Sequence, residues 1–170
     1  MTRTALSLLF AGLLLCPGVR TFAQTKFACI SFTELVGSMP ESKKADTTLS
    51  QYQSALEQQF ETMKTDYTTQ ATTLTSGDTS KFTRPQLDLK RRSLAELLAR
   101  IQGFDQEAGQ LLTQKRTDLF APIQRKAEDA IAQVARANSY AYVFEKESLH
   151  FYPTSDDILP LVRKKLGLAH

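Results

Sequence analysis

The chain has 170 residues, with 21 Lys and Arg against 18 Asp and Glu, a formal charge of +3, two cysteines and no tryptophan. Two cysteines exclude a multi-disulfide scaffold, and the near balance of charge excludes the strongly basic footprint of a nucleic-acid binder.

Arg3, the apolar run Ala5 to Leu15 and a short stretch ending Thr21-Phe22-Ala23 have the pattern of a secretory signal peptide cleaved after Ala23. The run is too short to span a membrane as a helix. Leu14-Leu15-Cys16 offers a second reading, lipidation at Cys16, which the bulky Leu15 disfavours. Cleavage leaves 147 residues and lowers the formal charge to +1, because Arg3 and Arg20 depart with the leader. The mature chain is expected to be soluble and exported. Only Cys29 remains there, so no intrachain disulfide can form, and its apolar setting reads as a small buried hydrophobe.

Lys26 to Phe32 reads as a buried first strand, followed by a polar turn. Ser38-Met39-Pro40-Glu41 has the form of a capping box with proline in the first turn, which starts a long helix. Leu49, Tyr52, Leu56, Phe60, Met63, Tyr67, Ala71 and Leu74 step by three and four along it, one narrow apolar stripe with an eleven-residue repeat. The loop Ser76 to Ser80 ends that pattern, and Thr83-Arg84-Pro85-Gln86 repeats the capping grammar. Leu94, Leu97, Ile101, Phe104, Ala108 and Leu111 then step as a heptad seam, reinforced by Leu87, Leu98, Leu112 and Leu119. Each helix comes to roughly 55 Å at 1.5 Å per residue, too long for a small domain to enclose, so the pair is expected to project as an antiparallel hairpin. Periods of eleven and seven favour opposite supercoils, so little net coiling is expected.

Gly103 and Gly109 lie inside the second helix, where bending and close approach of the first helix are both open explanations. Pro122 should kink or stop it near Phe120, with a further amphipathic helix from Ile123 to Ala137. Asn138 fits a left-handed cap. Tyr140 to Glu145 and Leu149 to Tyr152 read as two strands about a turn at Lys146-Glu147, and Asp156 or Asp157 caps a last short helix ending at Gly167.

The fold class is α+β, mostly α. A small β-rich body (residues 24–39 and 121–170) carries a helical arm (residues 40–120), and so small a body is expected to need self-association. The sequence has no phosphate loop, CxxC, HExxH or GxSxG motif, and its histidines are His150 and His170, so no catalytic, cofactor or metal residues are nominated. Lys81, Arg84, Lys90, Arg91 and Arg92 gather at the hairpin tip against Asp88 alone. They are either a solvated face or a salt-sensitive contact for anionic lipid, lipopolysaccharide or acidic client segments.

Met39-Pro40-Glu41-Ser42-Lys43-Lys44-Ala45, Pro122-Ile123, Ala130-Ile131, Val134-Ala135, Tyr140 to Phe144, Asp157-Ile158, Val162 and Lys165-Leu166 follow one another around the arms. In that order and spacing the sequence resembles the Skp/OmpH family of periplasmic chaperones. The resemblance implies a jellyfish-shaped homotrimer whose three hairpins enclose unfolded outer-membrane proteins without ATP. Asn138-Ser139, where the family often has glycine, and Pro160 in the final helix depart from the pattern. The expected function is therefore an ATP-independent holdase, not an enzyme, with no nucleic-acid partner. The alternative is an envelope tethering protein whose arms bind one defined partner helix.

Overall fold

A computed structural model describes residues 25–76 and 81–168. The expected leader at residues 1–23, with Cys16, lies outside the described residues, as do tip residues 77–80 and His170. The elements in order are β1 (Lys26–Ile30), α1 (Phe32–Ser38), α2 (Pro40–Thr75), α3 (Arg84–Ala137), β2 (Tyr140–Glu145) and α4 (Leu159–Lys165). Helices α2 and α3 have 36 and 54 residues, or about 54 and 81 Å of axis.

The two long helices pair antiparallel. Glu41 meets Lys126 at the root, and Tyr52 meets Lys115 further out, eleven residues forward on α2 for eleven back on α3. Phe60 and Phe104 stack beyond them, with ring centroids 5.4 Å apart. All eight residues of the first stripe are at least partly buried, and Leu56 is fully so, as the periodicity predicts.

The heptad seam of α3 is corrected. Leu111 is exposed, whereas Leu112 and Leu119, expected only to reinforce the seam, are partly covered, as is Lys115. The covered line follows Leu97, Ala108, Leu119 and Ala130, and in parallel Ile101, Leu112, Ile123 and Val134, an eleven-residue repeat like that of α2. Holding a seven-residue seam over this length requires left-handed coiling, which the partner's repeat does not support, so the contact line drifts off Leu111. The premise of opposing supercoils therefore lapses. At Lys115 the aliphatic stem occupies the seam while its ammonium sits 5.5 Å from the Tyr52 ring centroid.

Of the two outcomes expected at Pro122, a stop does not occur: α3 runs on through it, and the helix expected from Ile123 to Ala137 is its continuation. Its ring lies on the solvent side, where the carbonyl deprived of a partner can meet water. The apolar face from Ile123 to Val134 meanwhile docks into the core and outweighs the local penalty.

The start of the arm also differs. The expected polar turn is helix α1, capped by the Ser31 hydroxyl, which accepts from the Glu34 N–H at 3.3 Å. Ser38 caps nothing: its hydroxyl donates to the Leu35 carbonyl at 2.7 Å and closes α1, leaving Met39 as the N-cap of α2 with no side-chain bond. Glu41, the expected reciprocal member, instead pairs with Lys126. The second capping box does form, with the Thr83 N–H donating to Gln86 Oε1 at 2.8 Å.

In the body, β1 and β2 pair in parallel, Ala28 beside Val143 and Ile30 beside Glu145. Leu149 to Tyr152 is not a strand. After a 3-10 turn at Lys146–Ser148 the chain crosses to the far edge of β1, where the Ile158 N–H donates to the Cys29 carbonyl at 3.0 Å. That path buries Ile158, Leu159 and Val162, which an exposed hairpin strand carrying His150 would not. The left-handed residue after α3 is Ser139, at φ 57°, with Asn138 on the conventional side. The N-cap of α4 is Ile158 rather than Asp156 or Asp157; the Asp157 carboxylate, one residue earlier, accepts from the Leu159 N–H at 2.9 Å, and Gly167 at φ 68° closes the helix.

The core joins both ends of the sequence. Ala28, Ile30, Leu35 and Met39 pack with Ala127, Ala130 and Val134 of α3 and with Ile158 and Val162. Ala45 and Ile123 belong to the same cluster, so the roots of both arm helices are part of the body's interior. Cys29 is buried, as expected, and burial pushes its thiol pKa up.

Candidate functional site

Two surfaces stand out, and the first is the arm tip. Arg84, Arg91 and Arg92 recur at helical spacing along one side of α3, with Asp88 among them and 3.9 Å from Arg91. Lys90 turns the other way: its ammonium is 4.9 Å from the Phe82 ring centroid, and it lines a small cleft with Thr69, Thr73 and Leu74 of α2. Lys81 is exposed at the end of the preceding loop. The structure thus brings three of the five predicted residues onto one face and sets Lys90 against the first helix. Among the apolar arm residues outside the main seam, Leu89 is exposed, while Leu98 and Phe82 are partly covered.

The second surface went unrecognised in the sequence. Phe27, Tyr142 and Phe144 stand on the outer face of the two-stranded sheet, 48%, 59% and 43% exposed. Their ring centroids lie 5.9 to 6.2 Å apart. Parallel register places Phe27 opposite Tyr142, so two residues remote in sequence join a patch that is already aromatic on β2. The alternation Tyr142, Phe144 was a usable signal, but alternation alone does not say which face meets the core.

Around this sheet the polar contacts are specific. The Ser31 hydroxyl donates to Glu147, and the Phe32 N–H donates to Glu145 at 3.0 Å. Burial, then the neighbouring Glu147, holds the Glu145 carboxyl above the ordinary range, whereas the Ser31 hydroxyl, then Glu145, holds Glu147 below it. Lys146 bonds Asp157 at 2.8 Å, and that carboxylate, followed by the Tyr152 hydroxyl, raises the ammonium's pKa. These contacts tie the end of β2 to α1 and to the approach to α4.

The OmpH-like outer membrane protein family matches residues 26–166, from β1 to the end of α4. The chain belongs to that OmpH-like family. No curated protein sequence matches it. Among solved structures it is similar to the OmpH-like protein of Caulobacter crescentus CB15, at 16% identity over 86% of this chain and 85% of that one, with a TM-score of 0.68. At that identity the likeness concerns the fold. Among the described residues no helix is long and apolar enough to cross a membrane.

Proposed function

We propose that this OmpH-like protein is a periplasmic holdase: it binds unfolded outer-membrane β-barrel proteins without ATP and keeps them from aggregating. Family membership supports the chaperone role, and the Caulobacter relative is itself provisionally assigned as an outer-membrane chaperone. The observation that carries the mechanism is the shape: a long two-helix arm rooted in a small body whose aromatic sheet face is left open. That face, with rings of Phe27, Tyr142 and Phe144 in mutual contact, suits burial against further copies of the chain, and a homotrimer would set three arms around one space. Residues 24–39 and 121–170 would form the assembling body and 40–120 the arm.

Clients in that space would meet many weak contacts, whose combined avidity needs no single strong site. Lys81, Arg84, Lys90, Arg91 and Arg92 at the tips would add capture of acidic client segments or of anionic lipid and lipopolysaccharide, attenuated by salt.

The test mixes the purified protein with a urea-denatured outer-membrane β-barrel protein, dilutes the urea without ATP, and records light scattering and complex mass. Suppressed scattering with three copies per complex is expected. Unsuppressed aggregation from a folded trimer would instead assign the arms to tethering a specific envelope partner.

A further inference from the structure

Beyond the holdase reading, and independent of it, one surface of the body has the form of a docking groove. It runs between the last turns of α3 and the short helix α4. Two neighbouring hollows of about 450 and 410 Å³ lie there, with Gln133 and Lys165 lining both. Together they follow α3 from Pro122 to Asn138, about 24 Å at the helical rise. Its base is apolar, with Ala130 and Val134 buried, and Leu161 stands half exposed at its lip. Its walls are basic: Arg125, Lys126, Lys164 and Lys165 face Asp129 as the lone lining acid. Lys126 is committed to Glu41, and Arg163, the other basic residue of α4's last turn, is committed to Glu34. Arg125, Lys164 and Lys165 have no ion-pair partner among the described residues.

We infer that this groove docks an acidic amphipathic helix of a partner protein. A groove between two helices accepts a third by laying apolar residues spaced by three and four along its floor. Unpaired cations along both walls select acids on the flanks of that helix and oppose a basic one. A length of 24 Å corresponds to about sixteen residues of helix.

The experiment is fluorescence anisotropy of the purified full protein with a labelled sixteen-residue peptide, leucine at the i, i+3, i+4 and i+7 positions and glutamate elsewhere. A counterpart with lysine for glutamate serves as control. Saturable binding at one site per chain is expected, weakened about tenfold or more by K164E/K165E and by L161D, with K90Q/R91Q/R92Q carried alongside to separate any capture of the acidic peptide at the arm tip. K164Q/K165Q, which leaves the apolar packing intact, keeps the test valid if L161D fails to fold, and should weaken binding in the same direction. Equal binding of the lysine peptide, loss of binding only in the tip variant, or absence of saturation would overturn the proposal. So would phosphatidylglycerol vesicles that bind through Lys164 and Lys165 while the acidic peptide does not. Suppression of client aggregation by K164Q/K165Q should equal that of the unaltered protein, so a failed groove and a failed holdase give different results.

Discussion

Replacing Gly103 and Gly109 by alanine should stabilise the arm. Both lie inside α3, and a Cβ built at either meets nothing within 4 Å. Close approach of α2, one of the two explanations open from the sequence, is thereby removed, and neither glycine has a positive φ that would strain an alanine. Glycine within a helix costs about 0.8–1.0 kcal/mol relative to alanine, chiefly through the freedom of the unfolded backbone. The two sites are six residues, or about 9 Å, apart, far enough for their effects to add to about 2 kcal/mol. Urea unfolding at fixed chain concentration should show the higher midpoint with an unchanged slope, and amide exchange in α3 should slow by about four- to fivefold per substitution if the arm opens locally. A neutral or destabilising double substitution would refute the reasoning, since it would require a neighbour or a non-helical backbone at one of these positions. If a yielding arm serves client accommodation, the same variant should hold the largest clients less well while melting later.

Phe104 is buried against Phe60 at 5.4 Å, so a F60A/F104A double-mutant cycle followed by urea unfolding should give a coupling of about 0.5–1.5 kcal/mol beyond the individual losses; coupling near zero would dissolve the stack. E145Q should stabilise the protein at pH 7 and lose that advantage below the ordinary glutamate value of 4.5. The sign follows because a carboxyl whose folded pKa is raised contributes stability below its unfolded pKa and loses it as pH rises through the folded value; melting temperatures across pH 4 to 7 that stay parallel for the two proteins would count against it. K90Q/R91Q/R92Q should weaken capture of clients or anionic vesicles chiefly at low salt, and an unaltered salt response in a co-sedimentation assay would return those residues to an ordinary solvated helix face.

What could be read from the sequence was local. The stripe from Leu49 to Leu74 is a property of one helix, and its periodicity fixed both the element and its buried face. Leu111 was misplaced because a seam belongs to two helices: its exposure depends on how α2 repeats, which inspection of α3 alone does not reveal. Pro122 was misread for a related reason, as the local penalty is visible in the sequence and the docking energy of Ile123 to Val134 is not. Pairing of Lys26–Ile30 with Tyr140–Glu145 spans more than a hundred residues and has no short-range signal, so β2 was assigned to a neighbour, Leu149 to Tyr152, that it does not use. The same gap hid the aromatic patch, since Phe27 reaches Tyr142 only through that pairing. At the tip, composition revealed the charge, but the turn of the helix decided that Lys90 faces Phe82 and α2 rather than Arg91.

The way the arm is rooted separates compliance from assembly. Met39, Ala45, Ile123 and Ala127 belong to the body's core, so pivoting either arm helix at its base would open packed interior around Ile30 and Val162. Further out, the arm is held by a single covered line and by pairs such as Phe60 with Phe104, and α3 carries two glycines there with space around them. Deformation should therefore concentrate beyond the Tyr52–Lys115 contact, where fewer buried groups must be disturbed per degree of bend. The aromatic sheet face lies at the other end of that lever, on β1 and β2, behind the rigid core. An arm can then bend without loosening the aromatic sheet face, because the packed core lies between them.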